Sequence, residues 1–268
     1  MSRIHETFTG LRSQGRAALM PYLMLGYPER GAEVELAVAL EQAGADLFEL
    51  GVPFSDPLAD GATIQRASEQ ALRNGVRPAD VIESIKQMRA SGVQAALVPM
   101  GYYNPFLQYG LERFTRDAAA AGADGLIIPD LPPEEAERCQ DACATAGLDM
   151  ICFVAPTTPE QRIEEIVRIA SGFLYCVALT GVTGARSELW AGLPEFLQRV
   201  RRHTDLPLVV GFGISSAAHV RQVSQFADGA IVASALIARM EALTPEQRVA
   251  GLAEFVHELG KGREASDE

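Results

Sequence analysis

Lysine is nearly absent: Lys86 and Lys261 are the only two in 268 residues. Lys86 falls in a helical pattern and Lys261 close to the C-terminal end, so neither stands where a strand would present an amine to a carbonyl substrate. That excludes a Schiff-base aldolase, which needs a positioned lysine. Histidine is scarce as well, and His5, His203, His219 and His257 all lie away from the ends of the expected strands. Their placement argues against a metal-dependent aldolase and against an isomerase built on a Lys/His/Glu set. The four cysteines are Cys139, Cys143, Cys152 and Cys176. Cys139 and Cys143 share one helical stretch, with no histidine or second cysteine pair nearby to complete a zinc site. No metal is therefore expected, and the thiols read as reduced and structural.

Long apolar runs are missing too. None approaches the ~18 residues that span a bilayer, so no membrane association is expected. Residues 1–6 have no apolar centre and carry Glu6, unlike a secretory leader. Positive charge is in deficit, with a formal net charge of −12. So acidic a surface repels phosphate backbones, which removes nucleic acid from the expected partners. The location implied is cytoplasmic.

What is present is an alternation of short apolar runs with amphipathic stretches. The apolar runs read as strands over 18–24, 47–50, 95–100, 125–129, 150–154, 173–178, 208–211 and 230–232. Helical patterns follow, among them 33–42, 111–121, 134–146, 159–170, 193–202 and 217–225. Near-continuous apolar strands suit a parallel sheet covered on its outer face. The junctions 43–46, 121–124 and 226–229 share a small residue or glycine and an aspartate before the next strand, and 146–149 is close to them. Eight strands each followed by helix imply a closed (β/α)8 TIM barrel with an extra N-terminal helix at 3–14 on its floor. A doubly wound open sheet is the alternative, but its glycine-rich first turn is not seen in Gly26-Tyr27-Pro28-Glu29. No linker divides the chain. A single catalytic domain over 1–260 is expected, with a disordered tail over 261–268.

Barrel active sites lie at the C-terminal strand ends, which leaves Glu49, Asp56, Asp60, Asp130 and Tyr175 as titratable candidates. Alternation puts Leu47 and Glu49 on one face of their strand and Phe48 and Leu50 on the other. An inward carboxyl in an apolar barrel is costly unless it is paired or used, and burial would raise its pKa toward a range suited to proton transfer at neutral pH. Pairing with an arginine at the rim remains open. In the loop over 51–61, Asp60 could stabilise positive charge developing on a substrate, or simply cap the helix starting near Thr63. Segments 180–184, 211–216 and 233–235 bring glycines and a helix start to the phosphate-binding end of a barrel. The chemistry that survives is carboxylate acid–base catalysis on a small phosphate ester.

Residues 48–61, Phe-Glu-Leu-Gly-Val-Pro-Phe-Ser-Asp-Pro-Leu-Ala-Asp-Gly, closely resemble the signature of the tryptophan synthase α-subunit family. The resemblance continues through 99–105, 128–135, 155–159, Tyr175, 181–184 and 211–215, and covers about residues 1–260. It implies retro-aldol cleavage of indole-3-glycerol phosphate into indole and glyceraldehyde 3-phosphate, with Glu49 as acid–base and Asp60 holding the indole N–H. Tyr175 would line the site near Glu49. Tyr22, Met100, Ile127 and Phe212 would flank the indole, Gly184, Gly213, Ala233 and Ser234 would meet the phosphate, and Thr183 would also bind substrate. Ala233 stands where the family commonly has Gly, Ala178 where it often has Ser, and Tyr27 where it often has Asp. The implied partner is a pyridoxal-phosphate-dependent β subunit in an αββα complex, with that cofactor on the partner only. The mouth loops are unusually apolar for solvated loops, and Pro53, Asp56, Pro57, Leu58, Asn104 and Pro132 are the expected contact residues. The alternatives are a lid over the site, a stand-alone lyase and a non-catalytic activating subunit.

Overall fold

The computed structural model describes residues 2–177, 189–211 and 213–263. Among them, eight parallel strands close into a barrel in chain order. The strands are β1 (Ala18–Met24), β2 (Leu47–Gly51), β3 (Ala96–Met100), β4 (Gly125–Ile127), β5 (Asp149–Val154), β6 (Leu174–Val177), β7 (Leu208–Gly211) and β8 (Gly229–Val232). Closure comes from β1 against β8, where Ala18 faces Gly229 and Pro21 faces Val232. This is the expected barrel, and the open-sheet alternative falls.

The surrounding helices are α1 (Arg3–Ser13), α2 (Ala32–Gln42), α3 (Ala62–Arg73), α4 (Pro78–Ala90), α5 (Tyr103–Tyr109) and α6 (Leu111–Ala121). They continue with α7 (Glu137–Ala146), α8 (Glu160–Ile169), α9 (Leu193–Arg201), α10 (Ala217–Ser224), α11 (Ser234–Glu241) and α12 (Pro245–Gly260). Two expected boundaries move by more than one residue, both at proline. The stretch expected as one helix over 134–146 opens instead with a separate 3-10 turn, Pro133–Glu135. Pro132 is held extended by the proline after it. The fourth strand stops at Ile127, two residues before Pro129, which has no N–H for a ladder.

Alternation sorts the side chains into two layers. Phe48 and Leu50 pack outward with Leu36, Leu40, Ile85 and Met88. Leu47 points inward with Met20, Ala96, Val98, Ile151 and Ile231. Helix α1 adds Ile4, Phe8 and Leu11 to that interior, with the Phe8 ring centroid 5.9 Å from that of Phe173. The N-terminal helix is therefore the floor of the barrel, as its position before the first strand suggested.

The repeated junction aspartate also has a structural reason. Asp46, just before β2, accepts from the Leu19 N–H in β1 at 2.9 Å. Asp124, before β4, accepts from Leu97 N–H in β3 at 2.8 Å. Asp228, before β8, accepts from Leu208 N–H in β7 at 2.8 Å. Each carboxylate thus satisfies a donor at the start of the preceding strand, and each takes arginine partners: Arg16 and Arg263 on Asp46, Arg3 and Arg89 on Asp124, Arg12 and Arg201 on Asp228. The fourth junction differs, since Asp149 accepts from the Ser2 hydroxyl at 2.6 Å. Residues 261–263, assigned from the sequence to the tail, bring Arg263 to this floor. Its guanidinium donates to the Gly44 carbonyl and to Asp46, both at 2.7 Å.

Removing one of these carboxylates strands several donors at once. Asp124→Ala should lower the free energy of unfolding by about 2–4 kcal/mol, because it leaves Arg89 and the Leu97 N–H without their buried acceptor. Urea titration measures this, and a loss well under about 1 kcal/mol would show that water replaces the carboxylate.

Candidate active site

Glu49 sits in the middle of β2, in register with Tyr22 of β1 and Val98 of β3. It is 1% exposed. One carboxyl oxygen, Oε2, is fully buried with no hydrogen-bond partner, and none of the ion pairs among the described residues involves Glu49, so arginine pairing at the rim is not what holds it. Burial raises its pKa from the ordinary 4.5 to about 8, and the charge of Asp60 adds to the effect. At neutral pH it is a protonated acid poised to give its proton and take one back.

Asp60 arrives from the loop after β2. The N-cap of α3 is Gly61, with no side-chain cap bond, so the carboxyl of Asp60 does not cap that helix. Only its backbone carbonyl serves α3, accepting from Gln65 Nε2 at 2.8 Å. The loop is fastened at two points. Ser68 Oγ accepts from Phe54 N–H at 2.9 Å and donates to Phe54 O at 3.0 Å. Tyr102 Oη accepts from Ala59 N–H at 2.8 Å, and its ring lies 5.4 Å from that of Phe54. Burial pushes the Asp60 pKa up, and the neighbouring Tyr102 hydroxyl pulls it back. Tyr102 itself is pushed up to about 12, chiefly by burial. Sequence reasoning missed Tyr102 as a site residue. The order of strands already placed its loop beside the β2 loop, but only the fold distinguishes it from Tyr103, whose N–H is turned instead to Asp130 at 2.8 Å.

Two more phenols face this carboxyl pair. Tyr22 and Tyr175 are 4% and 5% exposed. Burial raises both pKa values well above 10, with smaller contributions from Asp60 and Glu49. Each hydroxyl occupies space kept open by a strand-end glycine. A Cβ on Gly51 would lie 2.0 Å from Tyr22 Oη, and one on Gly211 would lie 2.3 Å from Tyr175 Oη. Phe153 stacks on Tyr175 with centroids 4.5 Å apart. Met100 and Ile127 pair across β3 and β4 and belong to the same interior cluster. Tyr22, Met100, Ile127 and Tyr175 thus stand on the largely apolar inner side of the barrel around Glu49.

At the far side, β7 and β8 are neighbours. Gly213 follows β7 and is exposed, and Ser234 opens α11. Ala233 has φ −112° and ψ −82°, so its φ is negative and does not itself demand glycine. Tyr27, another departure, donates to Glu241 of α11 at 3.5 Å. Ala178, Thr183, Gly184 and Phe212 lie outside the described residues. Among the described residues, no group of three or more His, Cys, Asp and Glu could hold a metal ion, and all four cysteines are free and buried.

On the mouth, Leu58 is 83% exposed. Asp56, Asn104 and Pro132 are exposed and Pro57 is half-buried. Pro53 is instead buried, because it directly continues the strand beneath the loop, and it has little surface to offer a partner.

The sequence model of the tryptophan synthase alpha chain matches residues 8–264. The chain belongs to the tryptophan synthase alpha chain family. Relatives in this family include the alpha chain of Roseiflexus sp. (strain RS-1), 70% identical over 97% of this chain and 99% of that one. The alpha chain of Chloroflexus aggregans is 61% identical over 97% of each chain. Among solved structures, tryptophan synthase from M. tuberculosis in its aminoacrylate-bound form superposes with a TM-score of 0.87 at 39% identity, covering 98% of this chain and 99% of that one. Tryptophan synthase subunit alpha from Legionella pneumophila gives 0.88 at 36% identity, covering 98% of each. No helix among the described residues is long and apolar enough to cross a membrane.

The raised pKa of Glu49 has a consequence independent of any substrate. Its folded value, about 8, exceeds the ordinary 4.5, so its contribution to stability is complete below 4.5 and is lost as pH rises to about 8. Glu49→Gln removes the ionisable group, and the variant should unfold several degrees above the parent at pH 8 while the difference shrinks toward pH 5. Melting curves across that range test it, and a constant difference would mean that Glu49 ionises normally.

Proposed function

We propose that this chain is the α subunit of a tryptophan synthase and a lyase acting on indole-3-glycerol phosphate. The observation that carries the proposal is the inward, unpartnered carboxyl of Glu49 in an apolar chamber with Asp60 beside it. Protonated Glu49 donates to the indole ring carbon bearing the glycerol chain. The ring nitrogen becomes positive, and the ionised Asp60 accepts its N–H and stabilises that charge. The Glu49 carboxylate then takes the proton of the hydroxyl on the adjacent chain carbon. That oxygen's electrons form the aldehyde, the carbon–carbon bond breaks, and its electron pair restores the indole ring. Glu49 ends protonated, as it began. The products are indole and glyceraldehyde 3-phosphate.

Tyr22, Met100, Ile127 and Phe212 flank the ring in this proposal, and Tyr175 stands near Glu49. Gly184, Gly213, Ala233 and Ser234 meet the phosphate through neutral donors at the start of α11 and in the glycine-bearing loops, and Thr183 also binds substrate. No cofactor is required on this chain. Pyridoxal phosphate belongs to the partner, and Lys86 and Lys261 lie on the outer helix α4 and after α12, away from the chamber. In this proposal residues 1–260 form a single catalytic domain, and the chain works in the cytoplasm.

The turnover test is release of indole from indole-3-glycerol phosphate with and without a β subunit. Glu49→Gln should lower kcat by at least about 10²–10⁴-fold with little change in affinity. Asp60→Asn should lower kcat severely as well, since its charge acts mainly on the cationic intermediate. Variants within a few-fold of the parent would reverse the assignment of either carboxyl. Full activity of the parent without any partner would favour the stand-alone lyase.

The partner docks on the barrel mouth in this proposal, through Asp56, Pro57, Leu58, Asn104 and Pro132. Support comes from Leu58, which stands 83% exposed on a loop whose aromatic side chains are tucked inward. A contact there closes the chamber against loss of apolar indole and acts on the segment carrying Asp60. Leu58→Asp should weaken β-subunit binding at least tenfold, roughly the effect of desolvating a charge at an apolar contact, and reduce activation in parallel. Titration that matches the parent would move the interface elsewhere.

A further inference from the structure

Asp130 stands at the barrel mouth without a place in the chemistry. It is exposed, yet its carboxylate is not left to solvent: Oδ1 accepts the Tyr103 N–H at 2.8 Å. That N–H is the first of α5 and belongs to the peptide joining Tyr102 to Tyr103. Tyr102 is the N-cap residue, with φ −73° and ψ 154°, and makes no cap bond with its own side chain. A helix start without such a cap leaves its first donors open, and Asp130 fills one of them from the neighbouring loop. Fixing that peptide fixes ψ of Tyr102, and with it the direction in which the phenol leaves the backbone. Asp130 is itself held in a turn, between Pro129, whose ring fixes φ, and Leu131, whose N–H donates to Ile128 O at 3.4 Å and whose side chain packs on the core.

The phenol leads to Asp60. Tyr102 is 3% exposed, and its Oη accepts the N–H of Ala59, the residue before Asp60, at 2.8 Å. Little slack exists beneath this contact. Val52 N–H donates to Met100 O at 2.8 Å and Gly101 N–H to Ile127 O at 3.1 Å. A Cβ on Gly101 would lie 2.9 Å from Val52 Cβ and 2.8 Å from Phe106 Cζ. The ends of β2, β3 and β4 are thus laced together as far as Gly101, and above it the lacing continues through two bonds, Asp130 to Tyr103 and Tyr102 to Ala59. We propose that Asp130 is a positioning residue for the cleavage: its bond to the Tyr103 N–H holds the Tyr102 phenol against Ala59 and so sets where the Asp60 carboxylate meets the ring nitrogen. It touches no reacting atom. The inference rests on the role given to Asp60 above.

Asp130→Ala removes the acceptor and leaves the apolar contacts of the loop in place. With the β subunit saturating, it should lower kcat for indole-3-glycerol phosphate cleavage about tenfold, since a reacting group displaced by about 1 Å can cost roughly 100-fold. KM should stay within about twofold, because Asp60 acts mainly on the cationic intermediate, and the melting temperature within a few degrees, because the side chain is exposed. Asp130→Asn keeps an acceptor oxygen and should recover kcat to within about threefold of the parent. In a Tyr102→Phe background, where the Ala59 N–H has already lost its acceptor, Asp130→Ala should lower kcat by less than about twofold more, as expected for two bonds acting in series. An unchanged kcat, a loss confined to KM, no recovery in Asp130→Asn or an equal loss in both backgrounds overturns the inference. So does a loss that disappears as the β subunit is raised, which would make Asp130 a partner contact. A parent complex that releases no indole overturns the function and this inference with it, whereas an active parent with an indifferent Asp130→Ala overturns the inference alone.

Discussion

A carboxyl group enclosed by apolar side chains, with one oxygen bonded to nothing, is the constraint around which this barrel is organised. Glu49 cannot ionise cheaply there, because desolvation disfavours its charged form and Asp60 repels it. The same conditions make it useful, since an acid with a pKa near 8 holds its proton at neutral pH without holding it strongly. Such a site survives only if the rest of the molecule is stable enough to carry it. The interior below Glu49 is accordingly filled with Met20, Leu47, Val98, Ile127 and Ile231 and sealed by α1.

Carboxylates at the two ends of the barrel have opposite surroundings. On the floor, Asp46, Asp124 and Asp228 each meet a strand N–H and arginine side chains. They are satisfied and structural. At the top, Glu49 and Asp60 meet phenols and aliphatic groups, and no ion pair among the described residues includes either. The residue type is the same at both ends, and the presence or withholding of a cation decides whether it stabilises the fold or stores reactivity.

The loop that carries Asp60 links the chamber to the outer surface. Ala59 is fixed to Tyr102, Phe54 is fixed to Ser68, and Leu58 between them projects into solvent. Pressure on Leu58 from a docked protein would therefore reach Asp60 through two residues of backbone, a short mechanical path for coupling a partner to catalysis. The same loop occurs within a chain that aligns over nearly its full length with tryptophan synthase alpha chains.

The sequence by itself determined the strand and helix order, because parallel strands buried on both faces must be continuously apolar and the helices between them amphipathic. It also set Glu49 on the face of Leu47, opposite Phe48 and Leu50, by alternation, but that this face is the barrel interior was decided by the tertiary structure. Only the tertiary structure decided what that carboxyl meets. An arginine at the rim and unpaired burial among apolar side chains are equally compatible with the local pattern, as capping and charge stabilisation were for Asp60. The junction aspartates were visible as a repeat, but their acceptor role needed the neighbouring strand, and Tyr102 needed the loop beside it. Gly51 looked like an ordinary strand end and Gly211 like part of a phosphate segment until the rings of Tyr22 and Tyr175 were seen to fill the space a Cβ would occupy. Periodicity along a chain records which face is buried, whereas pKa, partners and room for a hydroxyl depend on atoms brought together from distant positions.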